Sequence, residues 1–450
     1  MRDMKSLRRL MLGLLSVSLI AISPVGAALG HADPAAAADT GTCPYRSLPA
    51  PPVDASEAPA PGKTSPAPLP VPAHPVGGDK LRACGDIQPQ GSPPLPLEAT
   101  SAAWVIADLD TGEVLAARDP HGRHRPASTI KVLLAALAIQ KLDLDTVVTA
   151  TEEDAWAEGS SVGIGPGGQY SIHTLLRGLM MNSGNDAAHA LAGQLGGVDA
   201  TVVKMNLLAA QLGALDTRAA TPSGLDGPGM ATSAYDLALI FRDAMADPVF
   251  TDLVSHGPIE FPGYPMTEEE ISYARAIASE RPQAVNAGAP EPPAIEPVPT
   301  EHASFWVAND NALLANYPGA IGGKTGFTDD AGHTYIGAAE RNGRRLVVTL
   351  LQGTRIPVSP WEQAASLLDY GFALPAGKSV GTLVAPGEVA ADGAFTEGDG
   401  DLSLTGTAAN LNAGGSVDAG SSAMRYAVIG ISGALALALL LGAAKLRRRR

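Results

Sequence analysis

The sequence predicts a mixed α+β fold: an antiparallel sheet flanked by helices, with an all-helical lobe inserted between its strands. Three observations predict it. A hairpin pattern opens the globular region, amphipathic helical segments fill its centre, and strands joined by a tight turn close it with a final helix. Strands at both ends of the globular region and helices between them imply that its ends meet in one sheet.

Taken in order, residues 103–109 and 113–117 are strand-like and flank Asp110-Thr111-Gly112, a turn sequence, so they read as a β-hairpin. An apolar, strongly helix-forming run follows at 132–138, with Pro126 placed where a helix begins. Helical patterns cover 174–181, 186–195, 202–212 and 233–246, the first two joined by the turn formers Asn182-Ser183-Gly184-Asn185. Strand character returns at 319–326, 334–338 and 345–351, with Asn342-Gly343 signalling a type I′ hairpin between the last two. A closing helix is predicted over 361–371.

The flanks of this region, residues 98–372, differ in kind. Arg2, Lys5, Arg8 and Arg9 precede an apolar run and small residues ending at Ala32, so 1–32 reads as a secretory signal peptide; Arg8-Arg9 leaves twin-arginine export open. Residues 33–97 are Pro/Ala-rich, which predicts an extended, disordered arm. A similar composition at 263–300 predicts a flexible surface insertion, and Gly/Ala-rich 373–424 a stalk. Residues 427–444 are eighteen without a charge, followed by Lys445 and Arg447 to Arg450. That predicts a transmembrane helix over 425–445 with a basic cytoplasmic tail at 446–450, and the globular domain on the extracytoplasmic side. A buried core helix is the alternative.

Composition narrows the function. The net charge of −15 excludes a general nucleic-acid binder, since no basic patch stands out except the C-terminal tail. Cys43 and Cys84 are the only cysteines, and in an exported chain an even pair reads as a disulfide, with two unpaired thiols as the alternative. His121 and His124 lack a third ligand and read as surface residues; no metal site and no cofactor are expected.

The chemistry centres on Ser128 and Lys131. Three residues apart at the start of a helix, they share a face, so a hydroxyl and an amine become neighbours near the positive end of the helix dipole. Such a pair suits a nucleophile and its base. Two further segments follow in order, Ser183-Gly184-Asn185 and Lys324-Thr325-Gly326. The triple set is the kind found in penicillin-recognising serine enzymes. A phosphate loop at Gly323-Lys324-Thr325 or Gly62-Lys63-Thr64 lacks the required upstream glycine, Pro318 and Glu57 standing there instead.

The flanks of these segments carry a resemblance. Pro126-Ala127, Asn185-Asp186-Ala187-Ala188, Gly322-Gly323, Met205-Asn206, Ser223-Gly224-Leu225-Asp226, and Asn311 with Leu313-Leu314 ahead of Tyr317-Pro318-Gly319 all resemble D-alanyl-D-alanine carboxypeptidases. These are low-molecular-mass penicillin-binding proteins of serine peptidase family S11. The resemblance implies a β-lactamase/transpeptidase-like fold, action on peptidoglycan stem peptides and acylation by β-lactam antibiotics. It implies that Ser128 attacks the carbonyl between two D-alanines, Lys131 takes its proton, Ser183 relays a proton to the departing amine and Asn185 either orients Lys131 or holds the substrate's backbone. It further implies that Lys324 and Thr325 receive the terminal carboxylate, Gly326 keeps the strand edge open, Phe327 and Ser128 supply oxyanion N–H groups, and Arg355 meets the carboxylate. A class A β-lactamase deacylates with a glutamate after the second segment. None occurs between Gly159 and Ile259, so slow penicillin turnover is expected. A catalytically silent, membrane-tethered sensor is the alternative from another class.

Overall fold

The computed structural model describes residues 43–280, 297–389, 396–398 and 401–403. A short strand β1 (Asp86–Ile87) precedes the hairpin of β2 (Ala103–Asp108) and β3 (Glu113–Arg118). The helical lobe follows: α1 (Lys131–Lys141), a ladder of β4 (Val147–Thr149) with β5 (Gln169–Ser171) around the one-turn α2 (Glu152–Ala155), then α3 (Ile172–Met181) and α4 (Asn185–Gln194). It continues through α5 (Val198–Leu212), α6 (Ala234–Ala244) and α7 (Pro248–Ser255). Next come β6 (Ile259–Phe261), α8 (Glu268–Glu280), β7 (Phe305–Val307) and α9 (Ala312–Asn316). The chain closes with β8 (Ala320–Thr328), β9 (Gly332–Arg341), β10 (Arg344–Gly353), α10 (Pro360–Ala373) and β11 (Gly381–Thr382).

The two ends do form one antiparallel sheet, ordered β1-β3-β2-β10-β9-β8, with β11 on the far side of β3. Residues of β2 alternate between its faces because successive side chains of a strand point oppositely. Trp104 and Ile106 pack with Leu367 and Leu368 of α10, whereas Val105 and Ala107 join the core shared with the helical lobe. Both faces are covered, so β2 is buried throughout. Asn342 and Gly343 take φ of 54° and 76°, the left-handed pair a type I′ turn demands. Helix starts are marked by side chains that accept the first free N–H groups: Ser171 from Thr174, Ser233 from Asp236, and Asp247 from Val249 with Pro248 next. Each such cap contributes about 1 kcal/mol.

The arm corrects the composition-based expectation. It is extended, but residues 43–97 follow a fixed path over the domain rather than a disordered one. Proline lacks an N–H, so a Pro-rich chain offers mainly carbonyl acceptors, and arginines of the domain take them. Arg123 donates to the carbonyls of Ser47 (2.9 Å), Leu69 (2.6 Å) and Pro70 (2.8 Å), and Arg218 donates to that of Ala67 (2.8 Å). Arg125 pairs with Glu57 and donates to the Ala50 carbonyl at 2.9 Å. Asp330 accepts from the Val53 N–H and from Ser56 Oγ. Cys43 and Cys84 are bonded, which closes the segment across 41 residues.

Two other expectations change. Within the insertion, α8 is a formed helix, started by Thr267 and Glu270 in reciprocal hydrogen bonds; 281–296 lie outside the described residues. His121 and His124 are buried, not surface residues: His121 Nδ1 lies 2.8 Å from Asp216, and burial pushes His124 down to about 4. The segment 1–32 expected to be a signal peptide, most of the expected stalk and the segment at 425–445 lie outside the described residues, among which no helix is long and apolar enough to cross a membrane.

Candidate active site

The nucleophile turn is a strained entry to a buried helix. Ala127–Ile130 form a 3-10 turn that runs straight into α1, and fully buried Ala127 holds φ at 47°, outside the region a non-glycine residue prefers. The Pro126 carbonyl accepts from the hydroxyls of Thr129 (2.6 Å) and Thr334 of β9 (2.7 Å), so helix and sheet grip the turn from both sides. Strain at such a position persists only because its surroundings enforce it.

Lys131 lies one turn beyond and is fully buried. Its Nζ is 2.8 Å from Ser128 Oγ, 2.7 Å from Asn185 Oδ1 and 2.5 Å from the Ser223 carbonyl. Burial, reinforced by the positive charge of Lys324, holds its pKa well below the usual lysine range, against the opposing pull of Asp310 and Asp186. A neutral amine has two N–H bonds and one lone pair. Asn185 Oδ1 and the Ser223 carbonyl can only accept, so they take the two hydrogens, and the lone pair is left for the Ser128 hydroxyl.

The second segment is placed by the turn between α3 and α4. Ser183 is buried with φ at 59°, a left-handed serine two residues from Asn185. Asn185 Nδ2 donates to the Glu158 carbonyl at 2.6 Å, and its N–H to that of Ser160 at 2.6 Å. Gly159, at φ +96°, lets this loop close, because a Cβ there would stand 2.5 Å from Asn185 Nδ2. The following residue, fully buried Asp186, accepts from the N–H groups of Val162, Gly163 and Ile164 and from Ser161 Oγ, which fixes the glycine-rich stretch 159–168.

The third segment lies along β8. Lys324 is fully buried, donates to the Thr325 carbonyl at 2.9 Å and has its pKa lowered by burial against the pull of Asp310. Thr325 Oγ1 donates to Asp310 Oδ2 at 2.7 Å. A Cβ on Gly326 would lie 3.0 Å from the Ser128 nitrogen, so β8 passes directly against the nucleophile turn. Phe327 is about half exposed and its ring packs on His333 at 4.7 Å. Arg355 is exposed beyond β10, near enough to His333 to lower its pKa after burial, and it makes no hydrogen bond with the other site residues.

Thus Ser128, Lys131, Asn185, Lys324, Thr325 and Gly326 converge at the junction of sheet and helical lobe, with Ser183 in the adjoining turn and Arg355 at the periphery. The sequence reading assigned no role to Ser223, Asp186 or Asp310. Their contributions are a carbonyl, a loop brace and a hydroxyl acceptor, and only their position beside the recognised segments signals them.

A sheet-and-helix fold with a buried amine beside a serine at the seam defines the class of serine acyl-transfer enzymes. A family model described as D-alanyl-D-alanine carboxypeptidase matches residues 89–257. D-alanyl-D-alanine carboxypeptidase DacB2 of Mycobacterium tuberculosis is 46% identical over 305 residues, covering 67% of this chain and 92% of that protein. D-alanyl-D-alanine carboxypeptidase DacD of Salmonella typhimurium is 32% identical, covering 64% and 69%. Among solved structures, a D-alanyl-D-alanine carboxypeptidase from M. tuberculosis H37Rv superimposes with a TM-score of 0.55 at 45% identity, over 66% of this chain and 99% of that one. The Streptomyces K15 DD-transpeptidase gives 0.51 at 25% identity, over 63% and 99%. The chain belongs to the D-alanyl-D-alanine carboxypeptidase family of serine peptidases.

Proposed function

We propose that Ser128 is the nucleophile with which this family member removes the terminal D-alanine from peptidoglycan stem peptides, and that penicillins acylate the same oxygen. The observation that carries this is the buried Lys131 amine, held by Asn185 and the Ser223 carbonyl with its remaining valence on Ser128 Oγ. Ser128 Oγ attacks the carbonyl carbon of the penultimate D-alanine and its proton passes to Lys131 Nζ. The oxyanion rests on the N–H groups of Ser128 and Phe327, each donor contributing about 3 kcal/mol. The C–N bond then breaks, the departing amine takes the proton by way of Ser183, and an ester on Ser128 remains. Water attacks that ester with Lys131 again the base, which restores the hydroxyl. Lys324 and Thr325 receive the substrate's terminal carboxylate; Arg355 lies on the periphery, where it adds positive potential. With no glutamate between Gly159 and Ile259, the penicilloyl ester is hydrolysed slowly.

The Cys43–Cys84 bond supports work outside the cytoplasm. An export signal at 1–32 and a membrane tether at 425–445 are supported by the sequence pattern alone. Release of D-alanine from a pentapeptide ending in D-Ala-D-Ala tests the activity. The full chain should release it, and Ser128→Ala should lower the rate by a factor of roughly a thousand or more. Release by both at the same rate, or by neither, would contradict the assignment.

A further inference from the structure

We infer that Asp310 is a specificity-determining residue: its carboxylate holds the Thr325 hydroxyl at the point where a leaving group's carboxylate binds, and so limits how strongly the cleft favours anionic leaving groups. The inference rests on the proposed role of Lys324 and Thr325 as the carboxylate receptor.

The placement is built from backbone outward. The Asp310 N–H donates to the Met181 carbonyl at the end of α3, at 2.8 Å, which fixes the residue beside the turn carrying Ser183. On either side, the Asn311 N–H donates to Asn309 Oδ1 at 3.0 Å, and Asn311 Oδ1 accepts from the Leu313 N–H and from Tyr335 Oη. Asp310 is thus an exposed carboxylate on a braced loop, and its Oδ2 takes the Thr325 proton at 2.7 Å.

A threonine hydroxyl has one proton. While it points to Asp310, it offers an incoming carboxylate only lone pairs. The substrate must draw that proton away from Asp310, and two carboxylates then share one hydroxyl and the Lys324 amine. Two unit charges 4 Å apart repel by about 1 kcal/mol in water and by more near a protein surface, equivalent to roughly fivefold or more in affinity. A leaving group without a carboxylate escapes this cost.

Asp310 also acts on the base. It opposes the lowering of the Lys131 pKa, alongside Asp186, whereas burial and Lys324 drive that lowering; Ser128, Asn185 and the Ser223 carbonyl are the neutral groups facing the amine. Neutralising Asp310 therefore moves the acid limb of kcat/KM to lower pH, which a residue that merely supports the loop does not do.

The test compares the full chain with Asp310→Asn on two esters of the same acyl-D-alanine, one leaving as D-lactate and one as its uncharged methyl ester. Comparing the two substrates cancels the effect on Lys131. The ratio of kcat/KM for the anionic over the neutral ester should rise roughly fivefold in the variant, and added salt should raise that ratio more in the parent than in the variant. Labelling of the variant by a fluorescent penicillin establishes that it is folded. An unchanged or lower ratio, with the parent active on both esters, would overturn the role of Asp310 alone. A parent that cleaves neither ester and takes no penicillin would overturn the carboxypeptidase reading and this inference with it.

Discussion

Lys131 shows how one residue acquires a function its type does not have in water. A free lysine is protonated below pH ~10 and cannot accept a proton at neutrality. Here burial comes first and Lys324 second in pushing its pKa down, so the amine is neutral over a wider range. The sign follows: activity is present above the lowered pKa and lost as pH falls through it. The rate of acylation by a fluorescent penicillin should therefore show an acid limb well below lysine's ordinary range. Lys324→Gln removes the positive charge that adds to burial in depressing Lys131 and should move that limb to higher pH. A limb that stays in place would argue against Lys131 as the titrating base. The pairing of Ser128 with Lys131 was legible because helical spacing alone makes them neighbours. The third partner, the Ser223 carbonyl, was not, since every residue has a carbonyl and only the fold selects one.

At the scale of elements, β8 and the nucleophile turn are fitted to one another through Gly326. A Cβ at this position would meet Thr334 Oγ1 at 2.3 Å, besides the nitrogens of Ser128 (3.0 Å) and Thr129 (3.1 Å). Thr334 is itself committed to the Pro126 carbonyl. Gly326→Ala should therefore push β8 away from the turn, lowering penicillin acylation by about a hundredfold while costing ~1–3 kcal/mol of stability. A variant that acylates at the parent's rate would show that the contact is slack. The strands and helices themselves were legible from their periodicities, including the Asn342-Gly343 turn. The arm was misread because composition measures only what a segment can bury by itself. What fixes it are Arg123, Arg125 and Arg218, far along the chain, and no local pattern reveals that their partners are the arm's carbonyls.

For the whole molecule, strands from both ends of the described domain meet in one sheet and the helical lobe closes over it, which brings three segments, the first and last more than 190 positions apart, to one seam. The Cys43–Cys84 bond adds a cross-link outside that core. In the chain-entropy view, a loop of 41 residues contributes up to about 4 kcal/mol. Replacing both cysteines by serine should make residues 44–83 the first site of limited proteolysis, with the penicillin-reactive domain surviving the cut. Equal resistance in the two proteins would mean that the arginine contacts alone hold the arm.

Peptide mapping of the full chain after exposure to penicillin addresses the nucleophile itself. One penicilloyl group should be found on the peptide containing Ser128, absent from Ser128→Ala of unchanged fold. A folded protein that takes no adduct, or takes it at another side chain, would contradict the assignment of Ser128 and Lys131 as nucleophile and base.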